Sequence, residues 1–176
     1  MKKAKFLKTI KSTKTKVFDF NIDKVKWVNG NIMERYLIKH NGVTSIVPII
    51  DKKNILLIKQ YRYGADKIMW EVPAGTIDIG EQPLKCAKRE LSEETGYLGK
   101  NWKSLGNYFA TPAYNSCKIY TYATECYLKN ETNLDEDEVI ETKIFSFKEV
   151  KDLMNRNKLD DMKTYVALDL YFRLLT

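Results

Sequence analysis

The stretch Gly75 to Tyr97, GTIDIGEQPLKCAKRELSEETGY, decides how the rest of the chain is read. Pro83 suits the first turn of a helix and Gly96 suits the left-handed residue that ends one, so a helix is expected from Pro83 to Thr95. At about 100° per residue, Glu90, Glu93 and Glu94 fall within an arc of roughly 100°. Leu84, Ala87 and Leu91 form an adjacent apolar stripe suited to packing on a sheet. Carboxylates crowded beside a buried face repel one another unless a cation lies among them, and hard divalent ions such as magnesium take oxygen ligands of this kind. A glutamate-rich helix by itself is ordinarily solvated surface, because glutamate is a good helix former. The preceding loop changes that balance. Pro73-Ala74-Gly75 permits a close backbone approach, Glu81 adds a fourth carboxylate, and Arg89 is a cation able to orient carboxylates by forked hydrogen bonds.

Outward from this stretch, turn and strand patterns alternate. Residues 17–28 and 32–39 read as short strands with a turn at Asn29-Gly30-Asn31. After a second turn at Asn41-Gly42, Val43 to Ile50 and Asn54 to Tyr61 read as a hairpin joined by Asp51-Lys52-Lys53. Met69 to Val72 is a further short strand, and others are expected near 102–109, 118–127 and 142–147. Two helices close the chain, over about 147–155 and 162–175. The fold class is therefore α/β, a mixed sheet covered by helices. A small N-terminal antiparallel β appendage spans 1–42, and the main domain spans 43–176.

The bulk properties narrow the function. With 44% hydrophobic and 30% charged residues, the 176-residue chain has the balance of a globular domain. No apolar run approaches the roughly 20 residues that span a bilayer, so no membrane partner is expected. The lysine-rich segment 1–16 lacks the apolar core of a secretory signal. Cys86, Cys117 and Cys126 have no metal-type spacing, and reduced thiols in a cytoplasm account for them, with Cys86 and Cys117 as packing residues. The net charge of +7 comes from lysines spread along the chain rather than from one basic, aromatic face, so a nucleic-acid partner is not expected. His40 is the sole histidine, and its His-Asn-Gly context suits a turn rather than a catalytic triad.

The fixed positions Gly75, Glu81, Arg89, Glu90, Leu91, Glu93, Glu94 and Gly96 match the Nudix box, with Tyr97 in its last apolar slot. Seven strictly specified residues, each at about 1 in 15, make a chance match on the order of 10⁻⁸ per starting point. By this resemblance the chain is identified as a Nudix hydrolase over about residues 43 to 176, which implies an α/β/α sandwich. It also implies a metal site for Mg²⁺, with Mn²⁺ as the alternative. The ligands carried over are Glu90 and Glu94, with Glu93 and the carbonyl of Ala74 completing the cage and Arg89 with Glu81 as the supporting pair.

Outside the box, Lys59-Gln60-Tyr61-Arg62 followed by Trp70-Glu71-Val72-Pro73-Ala74-Gly75 resembles the ADP-ribose pyrophosphatase branch. Glu34-Arg35 and Lys39-His40-Asn41-Gly42-Val43 are similar to a second segment of that branch, from which Tyr36 and Asn41 depart. Pro112 lies close to the proline that marks ADP-ribose specificity, although Thr111, Ala113 and Cys117 depart from the pattern around it. The resemblance implies hydrolysis of ADP-ribose to AMP and ribose 5-phosphate. Alternatives are another nucleoside diphosphate sugar, of the ADP-glucose or GDP-mannose type, and a non-catalytic nucleotide-sensing module. Arg62 would bind phosphate or the terminal ribose, or else be a surface arginine at a strand end. Arg35 joins the substrate-binding set, and Trp27 either stacks on adenine across a homodimer or packs in a core. In the acidic run Asp135-Glu136-Asp137-Glu138, Glu138 is the first choice and Glu136 the second for the residue that positions or deprotonates water.

Overall fold

In the computed structural model, residues 2–128, 132–134 and 139–175 are described. The chain divides into two compact units, Met1–Gly42 with Tyr108–Lys118, and Val43–Asn107 with Ile119–Thr176.

The first unit carries a three-stranded antiparallel sheet in the order β1 (Lys5–Lys14), β2 (Phe18–Lys26), β3 (Ile32–His40). The β2–β3 register pairs Phe20 with Ile38 and Ile22 with Tyr36. The expected turn is present, with Gly30 at φ +92° and the Trp27 amide donating to the Asn31 carbonyl at 2.7 Å. Strand β1 was not expected from the sequence. Every one of its residues is exposed, so its lysine-rich sequence has no inside-outside alternation to betray it. Its ladder to β2 and the Thr9 hydroxyl donating to Asp23 at 2.8 Å hold it. Segment 108–118 pairs with β3 through amide–carbonyl bonds between Ile38, Tyr114 and Ser116.

The second unit is built on a sheet in the order β10 (Glu141–Ser146), β5 (Asn54–Arg62), β4 (Val43–Ile50), β9 (Lys118–Leu128), β8 (Tyr97–Phe109). Short strands β6 (Lys67–Glu71) and β7 (Ala74–Thr76) pair with β5 and β4. The β4–β9 pair is parallel and β4–β5 antiparallel, so the sheet is mixed as expected. Strand β4 is buried on both faces, which is why it reads as a nearly unbroken apolar run. Neighbouring residues serve opposite faces. Ile46 packs with Ala87 and Leu91 of α1 (Pro83–Thr95). Val47 joins a core with Val150 of α2 (Phe147–Asn155) and Leu168 of α3 (Met162–Arg173). The result is the α/β/α sandwich.

The helix bounds follow their caps. Gly96 ends α1 at φ +69°, its amide donating to the Ser92 carbonyl. Ser146 and Glu149 form a reciprocal capping box at the start of α2. Asp161 caps α3 by accepting the Thr164 amide at 2.9 Å. One detail of α1 differs from expectation. Leu84 is 37% exposed, and the buried arc instead runs through Cys86, Ala87, Glu90, Leu91 and Glu94. The helix thus turns two of its glutamates under itself rather than leaving them beside the packed face.

Candidate active site

The edge of β4 sets the stage. Its first residues pair with β7, Thr44 opposite Gly75 and Ser45 opposite Ala74, while the Ile46 amide donates to the Pro73 carbonyl at 2.9 Å. This ladder runs the 73–76 backbone past the buried side of α1. Glu94 is only 2% exposed, and its Oε2 accepts the Ala74 amide at 2.9 Å. The Glu90 carboxyl lies over Gly75, where a Cβ would come within 1.9 Å of it. Any side chain at position 75 would displace that carboxylate.

Arg89 sits at the centre of the remaining carboxylates. It donates to both oxygens of Glu81 at 3.2 and 3.1 Å, and its Nη1 lies 2.7 Å from Glu90 and 2.9 Å from Glu93. A further bond reaches the Thr76 carbonyl at 3.3 Å. The bond from Arg89 is the main reason the Glu81 carboxyl is held below the usual carboxylate range, and the same pairing holds Arg89 firmly charged. The Cys86 thiol lies beneath this cluster, 3.5 Å from the Thr44 hydroxyl, and burial pushes it up to about 12. It is a packing group rather than a thiolate nucleophile.

The sequence therefore brings Glu81, Arg89, Glu90 and Glu93 into one network and sets Glu94 against the Ala74 backbone. The donors are all oxygen, which fits a hard divalent cation, and the space above Gly75 is kept for Glu90 alone. Among the described residues, no three carboxylate, histidine or cysteine side chains converge as a finished cage. Arg89 instead engages Glu90 and Glu93, so cation binding would trade those contacts for metal bonds.

Arg62 lies at the end of β5 with Glu71 on the neighbouring strand β6. Its Nε and Nη2 donate to the two Glu71 oxygens at 2.8 and 2.7 Å. It is thus a partly exposed arginine at a strand end that is also paired with a buried carboxylate. Glu71, 1% exposed, also receives Lys163, which in turn donates to Asp161 at 2.8 Å. Sequence reasoning passed over Glu71, Asp161 and Lys163. A carboxylate between Trp70 and Val72 in an apolar strand was the available signal, since such a group is buried only with partners.

Trp27, Arg35 and Pro112 belong to the first unit. Trp27 is 36% exposed, so it is not a core residue, and the Arg35 guanidinium lies 4.1 Å from its ring centroid. Pro112 is exposed in a turn closed by the Tyr114 and Asn115 amides on the Thr111 carbonyl. His40 Nδ1 accepts the Gly42 amide at 2.9 Å, a turn contact. Glu136 and Glu138 lie outside the described residues. The Asn133 amide donates to the Glu93 carbonyl of α1 at 3.0 Å.

Comparison with known proteins adds to this geometry. Residues 39–166 match the family profile described as NUDIX domain. An ADP-ribose pyrophosphatase of Bacillus subtilis (strain 168) is 30% identical over 155 residues, covering 87% of this chain and 84% of that protein. A methanol dehydrogenase activator of Bacillus methanolicus is 30% identical over 166 residues, covering 93% and 90%. The solved structure of an ADP compounds hydrolase superposes with a TM-score of 0.86 at 24% identity, over 99% of this chain and 95% of the other, and so shares the fold.

Proposed function

Because the chain belongs to the Nudix family and is a Nudix pyrophosphohydrolase, we propose that it hydrolyses ADP-ribose to AMP and ribose 5-phosphate with magnesium. The observation that carries the chemistry is the pairing of Glu90 over Gly75 with Glu94 on the Ala74 amide, beside the cluster around Arg89. The ADP-ribose assignment is supported by the stretch from Lys59 to Gly75, by Pro112, and by the Bacillus subtilis relative.

Glu90, Glu93, Glu94 and the Ala74 carbonyl would hold magnesium, or manganese in its place, and that ion supplies neutralisation of phosphate charge and a water of lowered pKa. Arg89, held by Glu81, orients Glu90 and Glu93. Arg62 donates to the pyrophosphate oxygens. A carboxylate of the acidic run, Glu138 first and Glu136 second, takes the proton from the attacking water. The water oxygen bonds to one phosphorus in line as the bridging P–O bond breaks. Arg35 and Trp27 offer a flat cationic and aromatic surface for the adenine, and they do so across a homodimer.

The deciding experiment measures phosphate-containing products from ADP-ribose, ADP-glucose, GDP-mannose, NADH and 8-oxo-dGTP, with and without magnesium. Magnesium-dependent turnover led by ADP-ribose is the expected result. Turnover led by another compound would overturn the substrate, and silence across the panel would favour a nucleotide-sensing module.

A further inference from the structure

The chain Asp161–Lys163–Glu71–Arg62 has no counterpart in the box, yet it holds the most deeply buried ion pairs near it. Glu71 sits at the end of β6, three residues before Ala74, and is 1% exposed. Arg62 grips it with Nε and Nη2, a pairing that uses two of the five guanidinium N–H donors of a side chain 40% exposed. Lys163, only 13% exposed, binds the same Glu71 carboxylate from the side of α3. Its second partner, Asp161, is the cap of α3 and also accepts the Thr164 hydroxyl. That hydroxyl meets the Val72 amide at 3.0 Å, so the N-terminus of α3 is fastened to the strand leading into the box.

A buried carboxylate held by a single arginine would cancel that arginine's charge. With two cations on Glu71, Arg62 keeps positive potential to offer an anion. Its partner Glu71 ends the strand that leads into Ala74 and the box, and this anchors the guanidinium to that strand. We propose that Lys163 is a positioning residue for the substrate's diphosphate, acting through Glu71 on Arg62. The inference rests on the pyrophosphohydrolase reading but not on ADP-ribose as the substrate.

The test is calorimetric binding of ADP in magnesium to the full-length protein and to Lys163→Met, Lys163→Arg, Arg62→Gln and the Lys163→Met/Arg62→Gln pair. Lys163→Met is expected to weaken Kd by about tenfold, a loss in the range for one hydrogen bond to a charged group. Lys163→Arg, which keeps the charge, is expected to restore Kd to within about threefold of the original. In the pair, the two losses are expected not to add, because both report on one guanidinium. Turnover of the preferred substrate is expected to show KM raised by more than kcat is lowered in Lys163→Met. A Kd for Lys163→Met within about twofold of the original protein, or fully additive losses, would overturn the proposal. If Lys163→Met does not fold, the Lys163→Arg and Arg62→Gln proteins decide it, since failure of arginine to preserve Kd in a folded protein also overturns it. Loss of ADP-ribose turnover in the unmodified protein with this coupling intact would sink the substrate and leave Lys163 in place.

Discussion

Two residues of the box separate what shapes the site from what performs the chemistry. Gly75 is shaped by exclusion. A methyl group there would meet the Glu90 carboxyl at 1.9 Å, and the carboxyl, being the end of a flexible side chain, is what moves. Gly75→Ala is therefore expected to fold with a Tm within a few degrees of the original and to lose at least about tenfold in turnover. Thermal melts and kcat measured on the same preparation check this, and a collapse of the fold with activity per folded molecule intact would reject it. Glu94 is the opposite case. Its Oε2 accepts the Ala74 amide, a contact that the carbonyl of glutamine can keep. Glu94→Gln thus removes charge while preserving the hydrogen bond, and kcat is expected to fall by about 100-fold or more with the fold retained. Near-normal turnover in that variant would remove Glu94 from the metal site.

At the scale of elements, legibility followed burial and capping. Helix α1 could be bounded from Pro83 and Gly96 because those residues act on the backbone itself, with no tertiary help. The α1 face could not be read as cleanly. Periodicity places Leu84 among apolar residues, but tertiary contact buries Cys86 and two glutamates instead, because the 73–76 backbone brings amide and glycine surface to that side. Strand β1 was illegible because solvent covers its side chains, and its bonds to β2 rather than any burial pattern define it. The ion chain on Glu71 joins strand and helix residues 92 apart, a distance that no local pattern reports. The turn after β3 was readable from His-Asn-Gly, and it gives a pH test. His40 Nδ1 accepts the Gly42 amide, so this contact needs the neutral ring, and burial lowers the His40 pKa below its ordinary value of 6.5. Its stabilisation is present above about pH 6.5 and is lost as pH falls through the lower folded value, since the unfolded chain takes up the proton first. The Tm difference between the original protein and His40→Asn is accordingly expected to shrink between about pH 7.5 and about pH 5. A difference that stays constant with pH would show that the ring does not titrate in this way.

Across the whole molecule, the first unit poses the question of what its exposed aromatic surface is for. Phe18, Phe20 and Tyr36 are 38%, 37% and 57% exposed, with Phe20 and Tyr36 stacked at 6.4 Å, and a three-stranded sheet needs cover on its apolar face. A second copy of the chain is the cover proposed here, and the lysines of β1 disfavour the alternative of pairing through the open edge strand. Light scattering is expected to give twice the chain mass. The stronger test asks whose site Trp27 serves. Trp27→Ala and Glu94→Gln should each be poorly active alone, one for want of an adenine platform and the other for want of a metal ligand. If each copy lends Trp27 to its partner, mixed dimers contain one site with both Trp27 and Glu94 and one site with neither. Subunit exchange to a statistical mixture should then restore about a quarter of the original activity, since half the dimers are mixed and half their sites are whole. If Trp27 serves its own subunit's site, every site in the mixture carries one defect or the other, and mixing restores nothing. A protein that scatters with the mass of one chain would remove the dimer altogether and place any adenine contact from Trp27 within one copy.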